Sequence, residues 1–140
     1  MNKTHLTITT PTKKFFEKDV EIVTLKTTEG YIGLQANASP FFSNVEMGTI
    51  DINFQKSENH QKFLIGSGLV YADATKVNII TDDIIKFEDI DIERAQRDKE
   101  KAEQELAKAT KSSLEDIRNI ELKLKKALLK IDSYNQFIKK

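Results

Sequence analysis

The chain has 140 residues, enough for one ordinary domain or for a small domain with an appendage. Its 22 basic and 22 acidic side chains give a formal net charge of +0, which argues against a nucleic-acid binder because such proteins usually carry a basic excess. The sequence contains 0 cysteines, which excludes disulfides, thiolate metal sites and cysteine-based catalysis.

No segment of the sequence predicts insertion into a membrane. No apolar run is long enough to span a bilayer. The segment from Met1 to Thr10 is polar and alternating, unlike a signal peptide. We therefore expect any membrane association to run through a partner protein.

Residues 1–87 predict a domain of short strands separated by turns. Thr4–Thr10 alternates and ends at Pro11, and the β-branched segment Val20–Thr27 predicts a second, longer strand. Because no helical pattern lies between the predicted strands, the domain is typical of an antiparallel β-sandwich rather than a parallel sheet. The remaining predicted strands cover residues 31–34, 41–45, 49–54, 63–65, 69–72, 77–80 and 84–87.

The clearest alternation in the chain lies in the fifth predicted strand. It predicts Ile50, Ile52 and Phe54 on the buried face, with Asp51 and Asn53 in solvent. Five other aromatic residues of this domain are most simply interpreted as core residues: Phe15, Phe16, Phe41, Phe42 and Phe63.

Residues 88–140 predict a second domain, an antiparallel helical hairpin, so that the fold class is β + α. Gly and Pro are absent, acidic residues crowd the start, and Ser112 with Glu115 has the capping-box spacing that opens a second helix. The first apolar stripe is mostly Ala, which buries little area, so we expect a hairpin of marginal stability. The two stripes are Ala95, Ala102, Leu106 and Ala109, then Leu114, Ile117, Ile120, Leu124, Leu128, Ile131 and Ile138.

No constellation of side chains predicts an active site or a metal centre. His5 and His60 lie far apart in the sequence and lack the spacing of a metal pair. Ser67 lies between two glycines but lacks the Gly-x-Ser-x-Gly elbow of a hydrolase. Glu17, Asp19 and Glu21 alternate with other residues, which favours an exposed strand face over an acid–base pair. We expect no catalytic residue and no metal ligand.

Four short motifs follow one another in a fixed order. They are Glu29-Gly30-x-x-Gly33 with a later Pro40, Met47-Gly48-x-Ile50, Gly66-Ser67-Gly68, and Ile90-Asp91-x-x-Arg94-Ala95. In order, spacing and total length the chain resembles the epsilon subunit of bacterial F-type ATP synthase. The last motif matches that family's nucleotide-binding signature. The family's Gly-His-Ala-Pro loop reads Asn37-Ala38-Ser39-Pro40 here, without the histidine, and Tyr31 stands where a Glu is common.

The resemblance implies two functional surfaces. The first faces the membrane rotor ring and comprises Glu29, Gly30, Tyr31, Gly33 and Pro40. The second binds a nucleotide through the signature residues Ile90, Asp91, Arg94 and Ala95, and through Lys101, Lys126 and Lys130, which stand where nucleotide-binding members carry arginines. Lys keeps the charge of Arg but loses its bidentate geometry. The structural alternative is that Asp91 caps a helix and Arg94 forms a surface ion pair.

The resemblance further implies a non-catalytic central-stalk subunit of a proton-translocating F-type ATP synthase. Its expected partners are the gamma subunit, the c-ring and, in an extended state of the hairpin, the alpha and beta catalytic subunits, whose ATP hydrolysis the hairpin inhibits. No cofactor is required, ATP is the implied regulatory ligand, and the chain is peripheral on the cytoplasmic side of a bacterial membrane, reached only through the complex. Two rival interpretations are a free-standing ATP-sensing module and an enzyme with its active site in the sandwich.

Overall fold

The computed structural model describes residues 2–109 and 113–138. The chain divides into two compact units, Met1–Lys86 and Phe87–Lys140. Strands make up the first unit, and helices make up the second.

The described residues of the first unit form ten strands, which hydrogen bonds join in the order β10-β7-β6-β3-β5-β8-β9-β1-β2, with β4 beside β3. The described pairs are antiparallel except for β1 with β9, which is parallel. The expected β-sandwich is confirmed. The strands are β1 (Thr4–Thr9), β2 (Lys14–Val20), β3 (Val23–Thr27), β4 (Gly30–Leu34), β5 (Phe41–Val45), β6 (Gly48–Ile52), β7 (Gln61–Ile65), β8 (Gly68–Ala72), β9 (Lys76–Thr81) and β10 (Ile84–Lys86).

Aromatic contacts bring the two ends of this strand order together. The rings of Phe15 and Phe16 on β2 lie 5.4 and 6.3 Å, centroid to centroid, from the ring of Phe63 on β7. The sheet therefore curls on itself into a nearly closed sandwich. Its interior holds aliphatic side chains that alternate inward along the strands, among them Leu6, Ile8, Ile50 and Ile52, as the alternation predicted.

Three predictions for this unit are wrong. Val20–Thr27 is not one strand, because β2 ends at Val20 and β3 begins only at Val23. Phe42 and Phe54 are not core residues, since they are 67% and 40% exposed. Asp51 and Asn53 are buried rather than in solvent.

Asn53 accounts for the break between β2 and β3. Its backbone has a φ of +69°, in the left-handed region, which ends the alternation after Ile52 and turns Phe54 outward. Its side-chain oxygen accepts a hydrogen bond from the Glu21 N–H at 2.8 Å, and its own N–H donates to the Ile22 carbonyl at 2.8 Å. These bonds occupy the backbone groups that a continuous strand would give to its neighbour. Pairing with β1 therefore stops where β2 ends, and the next strand, β3, pairs with β4 and β6 instead.

The second unit contains a 3₁₀ helix, η1 (Phe87–Asp89), and two α-helices, α1 (Ile92–Ala107) and α2 (Leu114–Ile138), which form the predicted hairpin. The Ser113 hydroxyl accepts a hydrogen bond from the Asp116 N–H at 3.2 Å and caps the start of α2. The cap predicted at Ser112 lies outside the described residues.

The fully buried apolar side chains between the two helices are small. Ala95, Ala102 and Ala109 are buried, as the first stripe predicted, and they meet a second helix in which Ala127 is the buried apolar residue. Such small side chains allow close packing but bury little apolar area. The prediction that the second stripe is buried is therefore wrong at three positions. These residues are 75%, 39% and 58% exposed, respectively: Leu114, Leu128 and Ile138.

Candidate functional site

A cleft of about 290 Å³ lies between α1 and α2. Five basic side chains line it, together with two acidic ones, so the lining has a formal excess of three positive charges. The net charge of the whole chain is +0, so this excess is concentrated locally. The charged lining residues are Arg94, Lys101, Lys123, Lys126 and Lys130, with Asp98 and Glu105.

Helical spacing explains why these side chains meet. On α1, positions 94, 98, 101 and 105 are separated by four, three and four residues, which places them on one face. Positions 123, 126 and 130 follow the same rule on α2. Between the two rows lie Ala102 and Ala127, each 3% exposed, and these small side chains let the helices approach each other.

The structure brings four of the seven predicted nucleotide-binding residues together. Arg94, Lys101, Lys126 and Lys130 all line the cleft. Within residues 2–109 and 113–138, no ion pair involves Arg94, Lys101 or Lys130. Their positive charges are therefore available to an anion.

The other three signature residues do not line the cleft. The Asp91 carboxylate accepts a hydrogen bond from the Arg94 N–H at 3.1 Å and caps α1, which is the structural alternative for this residue. Ile90 and Ala95 are 5% and 1% exposed and belong to the packing at the start of the helix. The surface ion pair predicted as the alternative for Arg94 is absent from the described part of the chain.

Sequence reasoning did not assign Asp98, Glu105 or Lys123 to this site. The signal was present, because each lies three or four residues from a predicted site residue on the same helix. The lining as a whole can attract and hold an anion through charge and hydrogen bonds. In the described residues, no group of three or more His, Asp or Glu side chains could hold a metal ion.

The residues predicted to face a rotor ring do not form one loop. Glu29 lies in the turn between β3 and β4, Gly30 begins β4 with a φ of +110°, and Tyr31 beside it is 58% exposed. Gly33 lies within β4. Pro40 follows the loop at the far end of β4, which is roughly 15 Å away for a five-residue strand. The role of these residues stays a prediction.

Asn37 shows how the altered loop keeps its shape. This residue has a φ of +66°, and its N–H donates a hydrogen bond to the Ala74 carbonyl at 2.7 Å. Asn is among the few residues that adopt the left-handed region readily, so it can stand where the resembling family has Gly.

A separate charged cluster lies on strands β1 and β2. The His5 ring contacts the Glu17 carboxylate at 2.9 Å through Nε2 and the Asp19 carboxylate at 2.7 Å through Nδ1. Hydrogen bonds to Glu17 and then Asp19 raise the pKa of His5. Hydrogen bonds from His5 and Lys14 lower the pKa of Glu17. The cluster links β1 to β2 at the surface. Glu17 and Asp19 lie on an exposed strand face, as the sequence predicted.

None of the helices in the described residues combines the length and the apolar character needed to cross a membrane.

Two family models match consecutive parts of the chain. The beta-sandwich domain of the ATP synthase delta/epsilon chain matches residues 3–87, and the long alpha-helix domain of the same chain matches residues 88–133. The ATP synthase epsilon chain of Mycoplasmopsis synoviae is 45% identical, over 99% of this chain and 100% of its own length. The chain belongs to the ATP synthase epsilon-chain family. The resemblance noted from the motifs is thus confirmed.

Two further comparisons extend this result. The sodium ion specific ATP synthase epsilon chain of Propionigenium modestum is 30% identical, over 95% of this chain and 94% of its own length. A chain in the cryo-EM structure of the Euglena gracilis mitochondrial ATP synthase, OSCP/F1/c-ring, superposes with a TM-score of 0.73, covering 99% of this epsilon-family chain and 82% of the other. At 19% identity, that structure shows a shared fold.

Proposed function

We propose that this epsilon-family chain is a non-catalytic central-stalk subunit of a proton-translocating F-type ATP synthase. The family match over both domains is the observation that carries the proposal. In this role the sandwich binds the gamma subunit and the c-ring and helps couple ring rotation to the catalytic head. Synthesis and hydrolysis of ATP take place on other subunits.

The hairpin supplies regulation in this proposal. It changes between a compact and an extended form, and the extended form contacts the alpha and beta subunits and inhibits ATP hydrolysis. The small buried side chains between α1 and α2 support this, because an element that buries little apolar area can have two states that differ by only a few kcal/mol. ATP in the basic cleft favours the compact form, through Arg94, Lys101, Lys126 and Lys130.

The proposed location is the cytoplasmic side of a bacterial membrane, as a peripheral protein held there by the complex. The bacterial sources of the two epsilon-chain relatives support a bacterial complex. Because one of them is named sodium ion specific, the coupling ion needs its own test: ATP synthesis by the complete complex should respond to a proton gradient and not to a sodium gradient.

The central test is ATP hydrolysis by the cognate catalytic head with gamma, measured without the chain, with the full chain, and with a chain ended after Phe87. We expect both forms to co-purify with the head and only the full chain to inhibit. Equal hydrolysis with both bound forms would remove the inhibitory role of the hairpin. Failure of both forms to bind would contradict the stalk assignment and favour a free-standing ATP-sensing module.

The nucleotide part has a matched pair of variants. Arg94→Gln and Arg97→Gln change the charge of the same helix equally, but only Arg94 lines the cleft. We expect Arg94→Gln to weaken ATP binding by about twofold to fivefold, as for an exposed charge pair, and Arg97→Gln to have no effect in calorimetry. Equal effects of the two variants on ATP binding would contradict the proposal that ATP binds in the cleft.

A further inference from the structure

The sheet of the first unit has edge strands, and one of them is unprotected. Among the described strands, β2, β4 and β10 each have a hydrogen-bonded neighbour on one side only. An edge strand is a template for pairing with another chain unless charged side chains, proline or short length prevent it. β2 carries four charged residues among its seven, and β10 is three residues long and ends in Lys86. β4 is Gly30-Tyr31-Ile32-Gly33-Leu34, which contains no charge and no proline.

The register with β3 shows which backbone groups of β4 point outward. A two-residue turn joins the strands, so Thr27 and Gly30 form a hydrogen-bonded pair, after which non-bonded and bonded pairs alternate. Lys26 and Tyr31 are therefore a non-bonded pair. In agreement, the Lys26 carbonyl accepts a hydrogen bond from the Glu46 N–H at 2.9 Å, on the other side of β3. The N–H and C=O groups of Tyr31 thus point to the free edge.

Gly33 lies two residues further along β4, so its backbone groups point the same way. Within residues 2–109 and 113–138, no backbone hydrogen bond beyond the pairing with β3 involves Tyr31 or Gly33. Both residues are exposed. The Tyr31 hydroxyl lies 3.6 Å from the position that a β-carbon on Gly48 would occupy, so the ring leans back across β3 and leaves the edge clear.

We propose that β4 pairs with β4 of a second copy of this chain, antiparallel and centred on Ile32. In this register Tyr31 faces the partner's Gly33, and Gly33 faces the partner's Tyr31, so the outward groups of each pair exchange two hydrogen bonds. Each tyrosine stands opposite a glycine, and no like charges oppose each other. A register centred on Tyr31 would set two tyrosines against each other, and one centred on Gly33 would oppose two residues without side chains.

The paired strand includes Gly30, Tyr31 and Gly33 of the predicted ring-facing surface. Pairing is therefore a state of the chain outside the complex, a consequence that rests on the predicted ring-facing role, whereas the pairing itself does not. Because five-residue strands make a small interface, the dissociation constant should lie between about 10 µM and 1 mM.

Sedimentation equilibrium of the full chain up to about 1 mM tests the pairing, with Tyr31→Lys and Tyr71→Lys as a matched pair. Tyr71 is also exposed, but it lies on β8, which has β5 and β9 on its two sides. We expect Tyr31→Lys to weaken the dimer at least about tenfold, since lysine on an edge opposes pairing, and Tyr71→Lys to leave it unchanged. A chain that stays monomeric would overturn the inference, and equal weakening by both variants would move the contact from the edge to the face of the sheet.

Single cysteines test the register, because the chain contains 0 cysteines of its own. Ile32→Cys places two thiols directly opposite each other, with α-carbons about 4.5 Å apart, which a disulfide accepts. Tyr31→Cys places them diagonally, at about 7 to 8 Å. With diamide as the oxidant, we expect disulfide-linked dimers of Ile32→Cys to form at least about tenfold faster.

Equal or faster cross-linking of Tyr31→Cys would overturn the register centred on Ile32. Failure of the isolated chain to pair would overturn this inference alone, because the stalk role is tested separately by binding to the catalytic head.

Discussion

At the scale of single residues, Asn53 joins the corner between β2 and β3 to the loop between β6 and β7. Its side chain accepts from the Glu21 N–H at 2.8 Å and donates to the Asn59 carbonyl at 3.0 Å, while its backbone takes a left-handed conformation. It is only 7% exposed. Replacing it leaves two backbone groups without partners in a place that water reaches poorly.

Asn53→Ala should destabilise the protein by about 2 to 4 kcal/mol, because it loses both side-chain hydrogen bonds and places Ala, which tolerates the left-handed region less well than Asn, at a positive φ. Asn53→Gly, which relieves the backbone, should cost about 1 kcal/mol less. Denaturant unfolding measures both. Asn37→Gly is the control, since Asn37 shares the positive φ and its backbone N–H makes the loop contact. Equal stability of Asn53→Ala and wild type would contradict the assignment of this corner.

His5 gives a pH-dependent contribution to stability. Its raised pKa means that the contribution is complete below about pH 6.5 and is lost as the pH rises through the folded-state value. The lowered pKa of Glu17 means that its share is present above about pH 4.3 and is lost on acidification. The melting-temperature difference between wild type and His5→Gln should therefore be largest between about pH 4.3 and 6.5 and shrink towards pH 9. A difference that does not vary with pH would contradict a stabilising interaction of His5 with Glu17 and Asp19.

Residue patterns predicted the core but not its polar exceptions. Leu6, Ile8, Ile50 and Ile52 were identifiable because alternation is a local property. The burial of Asp51 was not, because its partner is His60, whose Nε2 lies 2.7 Å from the carboxylate and reaches it only once the β6–β7 hairpin has formed. Long-range hydrogen bonds leave no local signal in the sequence.

At the scale of elements, the start of α1 depends on one carboxylate. Asp91→Ala should cost about 1 kcal/mol of local helix stability by removing the cap of the Arg94 N–H. Hydrogen exchange of the first-turn amides should become roughly fivefold faster, as that energy implies. Asp89→Ala removes the same charge two residues earlier without removing the cap. Equal exchange in the two variants would show that charge, and not capping, sets the stability of this turn.

The elements also show where helix periodicity is informative. The spacing of residues along each helix predicted the Ala stripe correctly. The same spacing could have identified every charged residue that lines the cleft, because both sets follow from the period of 3.6 residues. It failed for Leu114 and Leu128, whose burial depends on how wide the facing helix is. An Ala-lined contact covers less of α2 than its aliphatic sequence offers.

At the scale of the whole molecule, the two units differ in what holds them. The sandwich encloses a continuous cluster of sixteen buried apolar residues, most of them branched aliphatics. In the described part of the second unit, four of the six buried apolar residues are Ala: Phe87, Ile90, Ala95, Ala102, Ala109 and Ala127. Because buried apolar area is the main favourable term, the helices should be the less stable unit.

Hydrogen exchange of the full chain should therefore show at least about tenfold faster exchange in α1 and α2 than in β1, β8 and β9. Saturating ATP in the cleft should slow the exchange of both helices, since binding at a hundred times the dissociation constant adds about 2.7 kcal/mol to the stability of the state that binds. The exchange rates of the strands should not change.

Equal protection of the two units without ligand would mean that the hairpin is not the adjustable element. If the ligand slowed hydrogen exchange only in the strands, the proposal that binding in the cleft regulates the hairpin would be contradicted. A marginal hairpin is useful for control because its small stability is comparable to the energy that one ligand can supply.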